Sequence, residues 1–428
     1  MTVHPLNPIG LKSQPVSFKI LPPLALYIHI PWCVRKCPYC DFNSHEIKGT
    51  PSPLMAAEGS PQCGGVPTGV PLAGGEGWGE GGIEQQYITA LIRDLEQALP
   101  LIWGRRVQTV FIGGGTPSLF SGEAIAELLR QVRMRLPLEH GAEITLEANP
   151  GAVEAQHFAA YREAGVNRLS LGIQSFDDEK LRALGRIHTA EEARAAIKIA
   201  QQHFDNINLD LMYALPDQSL EQALQDVRAA LAFSPQHLSC YHLTLEPNTL
   251  FAHNPPQLPD DDAGSEMQHG IEELLAQHGY EHYETSAFAQ PKHRAKHNLN
   301  YWQFGDYLGI GAGAHGKLSF PDKVLRQARY KQPREYLEAV ARGAPVQEEH
   351  ALGRDDLAFE FMMNALRLNE GFDEGLFQER TSLPLLLIRR ELEEAVQRGL
   401  LKREQGRIAP TGQGRRFLND LLGIFLKN

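Results

Sequence analysis

Three of the chain's five cysteines fall within eight residues, as Cys33, Cys37 and Cys40, in a Cys-x3-Cys-x2-Cys spacing. They follow a short apolar run, residues 24–30, that reads as a β-strand. A loop of this length can turn three thiolates toward one centre, and thiolates are soft ligands that favour iron–sulfur clusters or zinc. A closed structural zinc site takes four protein ligands. The nearest further candidates, His29 and His45, make no familiar zinc spacing, and His29 lies inside the strand pattern. Three unrelated thiols would explain such clustering poorly in a cysteine-poor chain. A cluster with three protein ligands and one open iron, able to bind a small chelating molecule, explains it best.

Length and charge bound the rest. The 428 residues exceed the size at which single cores stop growing, about 250–300 residues, so two domains are expected. Fifty-two acidic residues against 41 basic ones give a formal charge of -11, which disfavours nucleic acid as a partner. The cysteines form no disulfide framework, and the reducing cytoplasm is the expected compartment. Residues 1–19 lack a charged segment followed by an apolar core, so no signal peptide is expected. No apolar run reaches the roughly 18–20 residues of a membrane span, while peripheral membrane contact stays open. A homodimer is the commonest assembly for such chains.

Residues 1–22 are polar and proline-containing and read as a ragged N-terminal arm. Residues 49–82 are rich in glycine and proline, poor in large apolar side chains, and read as a flexible insertion carrying Cys63 as a free surface thiol. Beyond it, apolar strand-like runs at 107–112, 143–148, 168–173, 206–212 and 237–243 alternate with helical stretches at 84–98, 121–135, 152–164, 190–203, 219–233 and 262–278. Near-continuous apolar runs are the pattern of parallel strands covered on both faces, so the fold class is α/β. Polar or glycine-rich residues follow successive strands: Gly113-Gly114-Gly115-Thr116, Glu147-Ala148-Asn149-Pro150, Gln174-Ser175 and Asp210. In parallel α/β folds that end of the sheet carries the chemistry, so these tips and the cysteine loop share one pocket. Residues 251–349 read as accessory strands and helices, with one strand over 307–316. Residues 350–428 read as a small winged-helix-like domain: helices at 357–366 and 385–398, a hairpin at 400–411 and a final helix at 412–425.

The cysteine spacing resembles that of the radical S-adenosylmethionine (SAM) superfamily. Its flank, Tyr27-Ile28-His29-Ile30-Pro31-Trp32-Cys33, resembles the oxygen-independent coproporphyrinogen III oxidases and their relatives, the heme chaperones of the HemW branch. The resemblance implies a partial (β/α)6 barrel and a [4Fe-4S] cluster on Cys33, Cys37 and Cys40. It also implies SAM at the unique iron, and an electron donor for the cluster. It assigns Gly114, Gly115, Thr116, Glu147, Gln174, Arg186 and Asp210 to SAM, with Tyr27 joining from the first strand. The oxidase branch carries a further cysteine two positions after the third, where this chain has Phe42. That departure matches the chaperone branch, which binds heme and passes it to acceptor proteins. The alternative is radical decarboxylation of coproporphyrinogen propionates.

The segment His297-Asn298-Leu299-Asn300-Tyr301-Trp302 looks like the signature of the chaperone branch and implies heme contact by His297, Tyr301 and Trp302. Histidine is a common heme ligand and aromatic rings stack on a flat porphyrin. His297 is the leading candidate, with His315 and His242 as alternatives. A reading from another class, a zinc-stabilised module binding nucleic acid through Arg403, Arg407, Arg415 and Arg416, would need a fourth zinc ligand and a basic recognition face.

Overall fold

The computed structural model describes residues 16–47 and 82–426. The expected insertion, with Cys63, lies almost wholly outside them. Six parallel strands form the centre: β1 (Leu24–Ile30), β2 (Val107–Gly114), β3 (Leu138–Ala148), β4 (Arg168–Gln174), β5 (Ile207–Tyr213) and β6 (His237–His242). Neighbours in sequence pair in space, with Ile28 of β1 opposite Ile112 of β2 and Leu171 of β4 opposite Leu209 of β5. One face of each strand packs beneath helices, so that Leu24, Leu26, Ile28 and Ile30 join Leu91, Ile125 and Leu128 in a single core. Helix starts are capped as expected. Ser121 accepts from the amide of Ala124, and Thr189 and Ser219 form capping boxes with Glu192 and Gln222.

Six further strands extend this partial barrel: β7 (Glu281–Glu284), β8 (Ala287–Ala289), β9 (Asp306–Ile310), β10 (His315–Ser319), β11 (Val324–Arg329) and β12 (Val346–Ala351). The order is linear, β12-β11-β10-β9-β1-β2-β3-β4-β5-β6-β8-β7. β9 pairs parallel to β1, whereas β10, β11 and β12 follow antiparallel. The single strand expected over 307–316 is therefore two, divided by a turn at Gly311-Ala312-Gly313-Ala314. Gly311 (φ 104°) and Gly313 (φ 80°) take left-handed backbone there, and a Cβ on them would lie 2.4 Å from the His29 carbonyl and 2.2 Å from the Asn43 amide nitrogen. The turn thus packs against the cysteine loop.

Two buried carboxylates tie these strands to the barrel. Asp306 accepts from Lys317 Nζ at 3.0 Å, from the amide and hydroxyl of Ser319 at 2.8 Å each, and pairs with Arg105 at 2.8 Å. Asp94, on helix Ile83–Ala98, accepts from Arg329 at 3.1 Å, the Tyr336 hydroxyl at 2.9 Å and the Gly311 amide at 3.2 Å. Charges taken out of water survive only when such partners satisfy them.

The C-terminal residues have a core of their own, built on Leu357, Phe361, Phe377, Leu392, Ile408 and Leu421. A three-stranded sheet of Phe372–Asp373, Arg407–Pro410 and Leu401–Glu404 carries the expected hairpin. Helix Glu374–Thr381, not marked in the sequence, adds to it, and the final helix is broken into Gly412–Arg416 and Leu418–Gly423. The stretch 152–164 is likewise two helices, Ala152–Ala155 and Phe158–Ala164. Residues 16–22 are no ragged arm. Phe18 is buried in the C-terminal core and its amide donates to the Pro321 carbonyl at 2.9 Å. Arg403 and Arg407 pair with Glu374 and Asp373, which leaves the hairpin poorly suited to phosphate.

Asp306→Ala leaves the Lys317 ammonium buried without its counter-ion. It is expected to lower stability by about 3–5 kcal/mol in chemical denaturation, and Asp306→Ala with Lys317→Met should recover part of that loss. A single variant as stable as the parent would contradict the assignment.

Candidate active site

The cysteine loop is closed at its base by backbone pairing. Trp32–Cys33 lies parallel to His45–Glu46, and the Trp32 ring meets Tyr87 edge-on at 4.6 Å. The β2 tip holds the loop from the other side. The amide of Gly115 donates to the Ile30 carbonyl and that of Thr116 to the Trp32 carbonyl, both at 2.7 Å. The approach is close enough that a Cβ on Gly115 would lie 2.5 Å from the Trp32 oxygen, and one on Gly114 (φ 118°) 2.7 Å from the His29 ring. These glycines are required by the docked loop, whatever ligand they also face. His29 supports the loop's far end. Its Nε2–H donates to the Asn43 carbonyl at 2.8 Å, which leaves Nδ1 to accept from the Tyr27 hydroxyl at 2.9 Å. Burial pushes the His29 pKa down to about 4, in keeping with this neutral tautomer.

The three thiols open into a cleft of about 440 Å³. It is lined by Gly114, Gly115, Thr116, Glu147, Gln174, Arg186 and Asp210, so seven residues from four strand tips and the following loops converge where expected. The Thr116 hydroxyl donates to Cys33 Sγ at 3.4 Å, and Arg186 reaches Cys37 Sγ at 3.7 Å. Asn149 joins the two: its amide donates to Thr116 Oγ1 at 3.2 Å and its oxygen accepts from Arg186 at 2.7 Å. Arg186 is further fixed by the Gly172 carbonyl at 2.9 Å. Gln174 sits in left-handed backbone (φ 67°), an uncommon conformation for a non-glycine residue that concentrates at functional sites. Glu147 accepts from the Gly114 amide at 3.1 Å, while Ser170 and Asn208 donate to Asp210 at 2.9 and 2.8 Å. Burial, then the neighbouring Asp210 charge, lifts the Glu147 pKa to about 8, and burial raises that of Asp210. Burial also raises the Cys33 and Cys40 thiols, so metal binding here would release protons.

Among the described residues, no three His, Cys, Asp or Glu side chains converge to hold a single metal ion. A cluster, where each thiolate takes its own iron, needs no such convergence.

Four expected residues lie elsewhere. Tyr27 faces not this cleft but a neighbouring one of about 710 Å³, which Tyr301 and Trp302 also line. His297 lines neither cleft. It sits on helix Lys296–Trp302, whose first amides donate to Glu143, and its ring is buried against Phe111 at 4.9 Å. Both ring nitrogens are engaged, Nδ1 with Thr109 Oγ1 and Nε2 with the Tyr301 hydroxyl, each at 2.8 Å. As it stands His297 is a packed core histidine that fixes Tyr301, with no lone pair free for heme iron.

A family model described as the radical SAM superfamily matches residues 27–230, and one described as the HemN C-terminal domain matches residues 352–417. The heme chaperone HemW of Escherichia coli (strain K12) is 48% identical over 408 residues, covering 95% of this chain and 99% of the relative. The chain belongs to the HemW family of radical SAM proteins. A further HemW, from Haemophilus influenzae, is 46% identical over 412 residues, covering 95% and 98%. The solved structure of coproporphyrinogen III oxidase (HemN) from Escherichia coli, described as a radical SAM enzyme, superposes with a TM-score of 0.74 at 23% identity, covering 95% of this chain and 90% of that one. That likeness is one of fold.

Radical SAM membership implies a [4Fe-4S] cluster and SAM, and the residues present fit them. Besides the three thiols, the cleft is lined by Arg168, 3% exposed, whose buried Nε has no hydrogen-bond partner among the described residues. A buried cation beside two buried carboxylates is a cradle for a polar, charged ligand. Asn149 stood among the polar strand-tip residues read from the sequence, whereas Arg168, Ser170 and Asn208 were missed. Their signal is period-two: Arg168, Ser170, Gly172 and Gln174 share one face of β4, and Asn208 and Asp210 one face of β5.

Because Glu147 holds its proton more tightly folded than unfolded, its contribution to stability is full below about 4.5 and is lost as pH rises through about 8. In cluster-free protein, Glu147→Gln is expected to flatten this loss by roughly 2–4 kcal/mol, measured as denaturation midpoints across a pH series. Superimposable profiles for parent and variant would contradict the assigned environment.

Proposed function

We propose that this protein is a heme chaperone, which binds heme and transfers it to acceptor proteins in the cytoplasm. The observation that carries the reading is near-full-length identity of 48% to a heme chaperone. Phe42 supports it, standing where the resembled oxidases carry a further cysteine. Residues 23–250 would hold the cluster and SAM, 251–349 would flank that site, and 350–428 would cover it; a second core built mainly from 350–428, with Phe18, Phe304 and Val324 joining it, supports the last boundary. Among the described residues no helix is long and apolar enough to cross a membrane.

Cys33, Cys37 and Cys40 would each hold one iron, with the fourth corner turned into the cleft. When bound, the cluster and SAM supply one-electron chemistry fed by a donor protein. The chain's own residues set the conditions for it. Thr116 and Arg186 point donors at two cysteine sulfurs, and hydrogen bonds to sulfur help set a cluster's potential. Glu147 and Asp210 offer carboxyl groups to amino and hydroxyl groups of SAM, Gln174 offers an amide that both donates and accepts, and Arg186 counters carboxylate charge. Asn149 keeps the Thr116 and Arg186 sides in register.

Anaerobically reconstituted protein is expected to take up heme saturably and release it to a heme-free acceptor. Given coproporphyrinogen III, SAM and a reductant, it is expected to form no decarboxylated product. Product at enzymatic rates without saturable heme uptake would place the chain in the oxidase role instead.

A further inference from the structure

Resting on the heme-chaperone reading, we propose that heme is seated not around His297 but in the neighbouring 710 Å³ cleft. There the iron faces His315 and the propionates face Lys36 and Lys331. The cleft runs between the tail of the cysteine loop, helix Lys296–Trp302 and strands β10 and β11, and all these residues line it. Its volume lies within the roughly 300–1,000 Å³ of small-molecule sites.

Three features select the ligand. The first is uncovered aromatic surface. Phe42 is 63% exposed, an apolar ring left in solvent where burial would be favoured. Trp302 lines the same cleft, with the Arg367 guanidinium 4.3 Å from its ring centre. A flat macrocycle would cover the exposed aromatic surface.

The second is the state of the histidines. His29 and His297 each have both ring nitrogens engaged. His45 approaches the Lys331 carbonyl at 3.3 Å through Nε2. The exposed His315 ring makes no hydrogen bond among the described residues, and imidazole nitrogen is a common axial ligand of heme iron.

The third is unpaired positive charge in a chain of formal charge -11. Arg326 and Lys317 also line the cleft but are committed to Glu360 and Asp306. The Lys36 ammonium donates to the Phe42 and Ser44 carbonyls while its backbone amide donates to Glu46, and among the described residues neither the Lys36 nor the Lys331 ammonium forms an ion pair with a carboxylate. Asp41 is the opposing charge on the rim. Two ammonium groups lining an aromatic slot suit a diacid such as heme.

The position also suits the protein's other cofactors. Cys40, Asp41, Phe42 and Ser44 line both this cleft and the one into which the thiols open. Heme seated here would touch the loop that holds the cluster, which lets cluster and SAM occupancy bear directly on heme affinity.

The test is a hemin titration of the full-length protein, followed by visible absorption and by electron paramagnetic resonance of the ferric complex. His315→Ala, a surface change, is expected to weaken binding by about tenfold or more and to change the axial-ligand signature. Lys36→Ala with Lys331→Ala should remove the preference of the parent for hemin over its dimethyl ester. His297→Gln should keep the parent's signature. If the parent binds hemin and neither the His315 nor the lysine variants alter it, the site is wrong and the chaperone reading stands. If the parent binds no hemin, both are overturned. Circular dichroism and iron content equal to the parent's exclude misfolding as the cause of a loss.

Discussion

Two peptide amides hold the centre of this protein together. Those of Gly115 and Thr116 cross from the β2 tip to carbonyls on either side of Pro31, at the mouth of the cysteine loop. A loop of three thiols would otherwise wander, since a short irregular segment carries the full cost of ordering its backbone. The seam fixes its origin, the Trp32–Cys33 pairing closes its base, and Asn43 anchors its end to the Ala312 and Lys331 carbonyls at 2.9 Å each. The cluster ligands are thus presented by a scaffold of backbone and side-chain hydrogen bonds, as a preorganised site requires.

The same architecture explains why so much charge is buried. Strands β3, β4 and β5 bring Glu147, Arg168 and Asp210 to one cleft, and the loop after helix Asp178–Ala183 brings Arg186. Isolated, each would be expensive; together they are partly compensated and await a ligand that completes the compensation. Asp94 and Asp306 do comparable work at the other edge, where each carboxylate gathers several donors and so binds accessory strands to the barrel.

Most of this was legible in the sequence because the informative residues sit at strand ends. The apolar runs of β1 to β6 and the polar residues after them placed Glu147, Gln174 and Asp210 on one rim. What stayed hidden depended on contacts distant in sequence. β9 adds parallel to β1 across some 280 residues of chain, and no local pattern announces it. The break at Gly311–Ala314 was concealed because small residues extend a strand pattern as readily as they turn it. Phe18 read as part of a polar arm because a single aromatic gives no period, although it completes the C-terminal core. His297 stood out by type and neighbours, yet type alone could not reveal that Thr109 and Tyr301 occupy both its nitrogens. Arg168 drew no notice in the sequence because the first residue of a strand gives no sign of which face it occupies.

The central claim is that Cys33, Cys37 and Cys40 bind a cluster with one iron left open to SAM. The most direct measurement is electron paramagnetic resonance of the reduced, reconstituted protein before and after adding SAM. The account predicts a [4Fe-4S] signal whose g-values shift on addition, with both the signal and its shift lost in a Cys37→Ala protein. A cluster spectrum indifferent to SAM, or purified protein carrying zinc in place of iron, would contradict it.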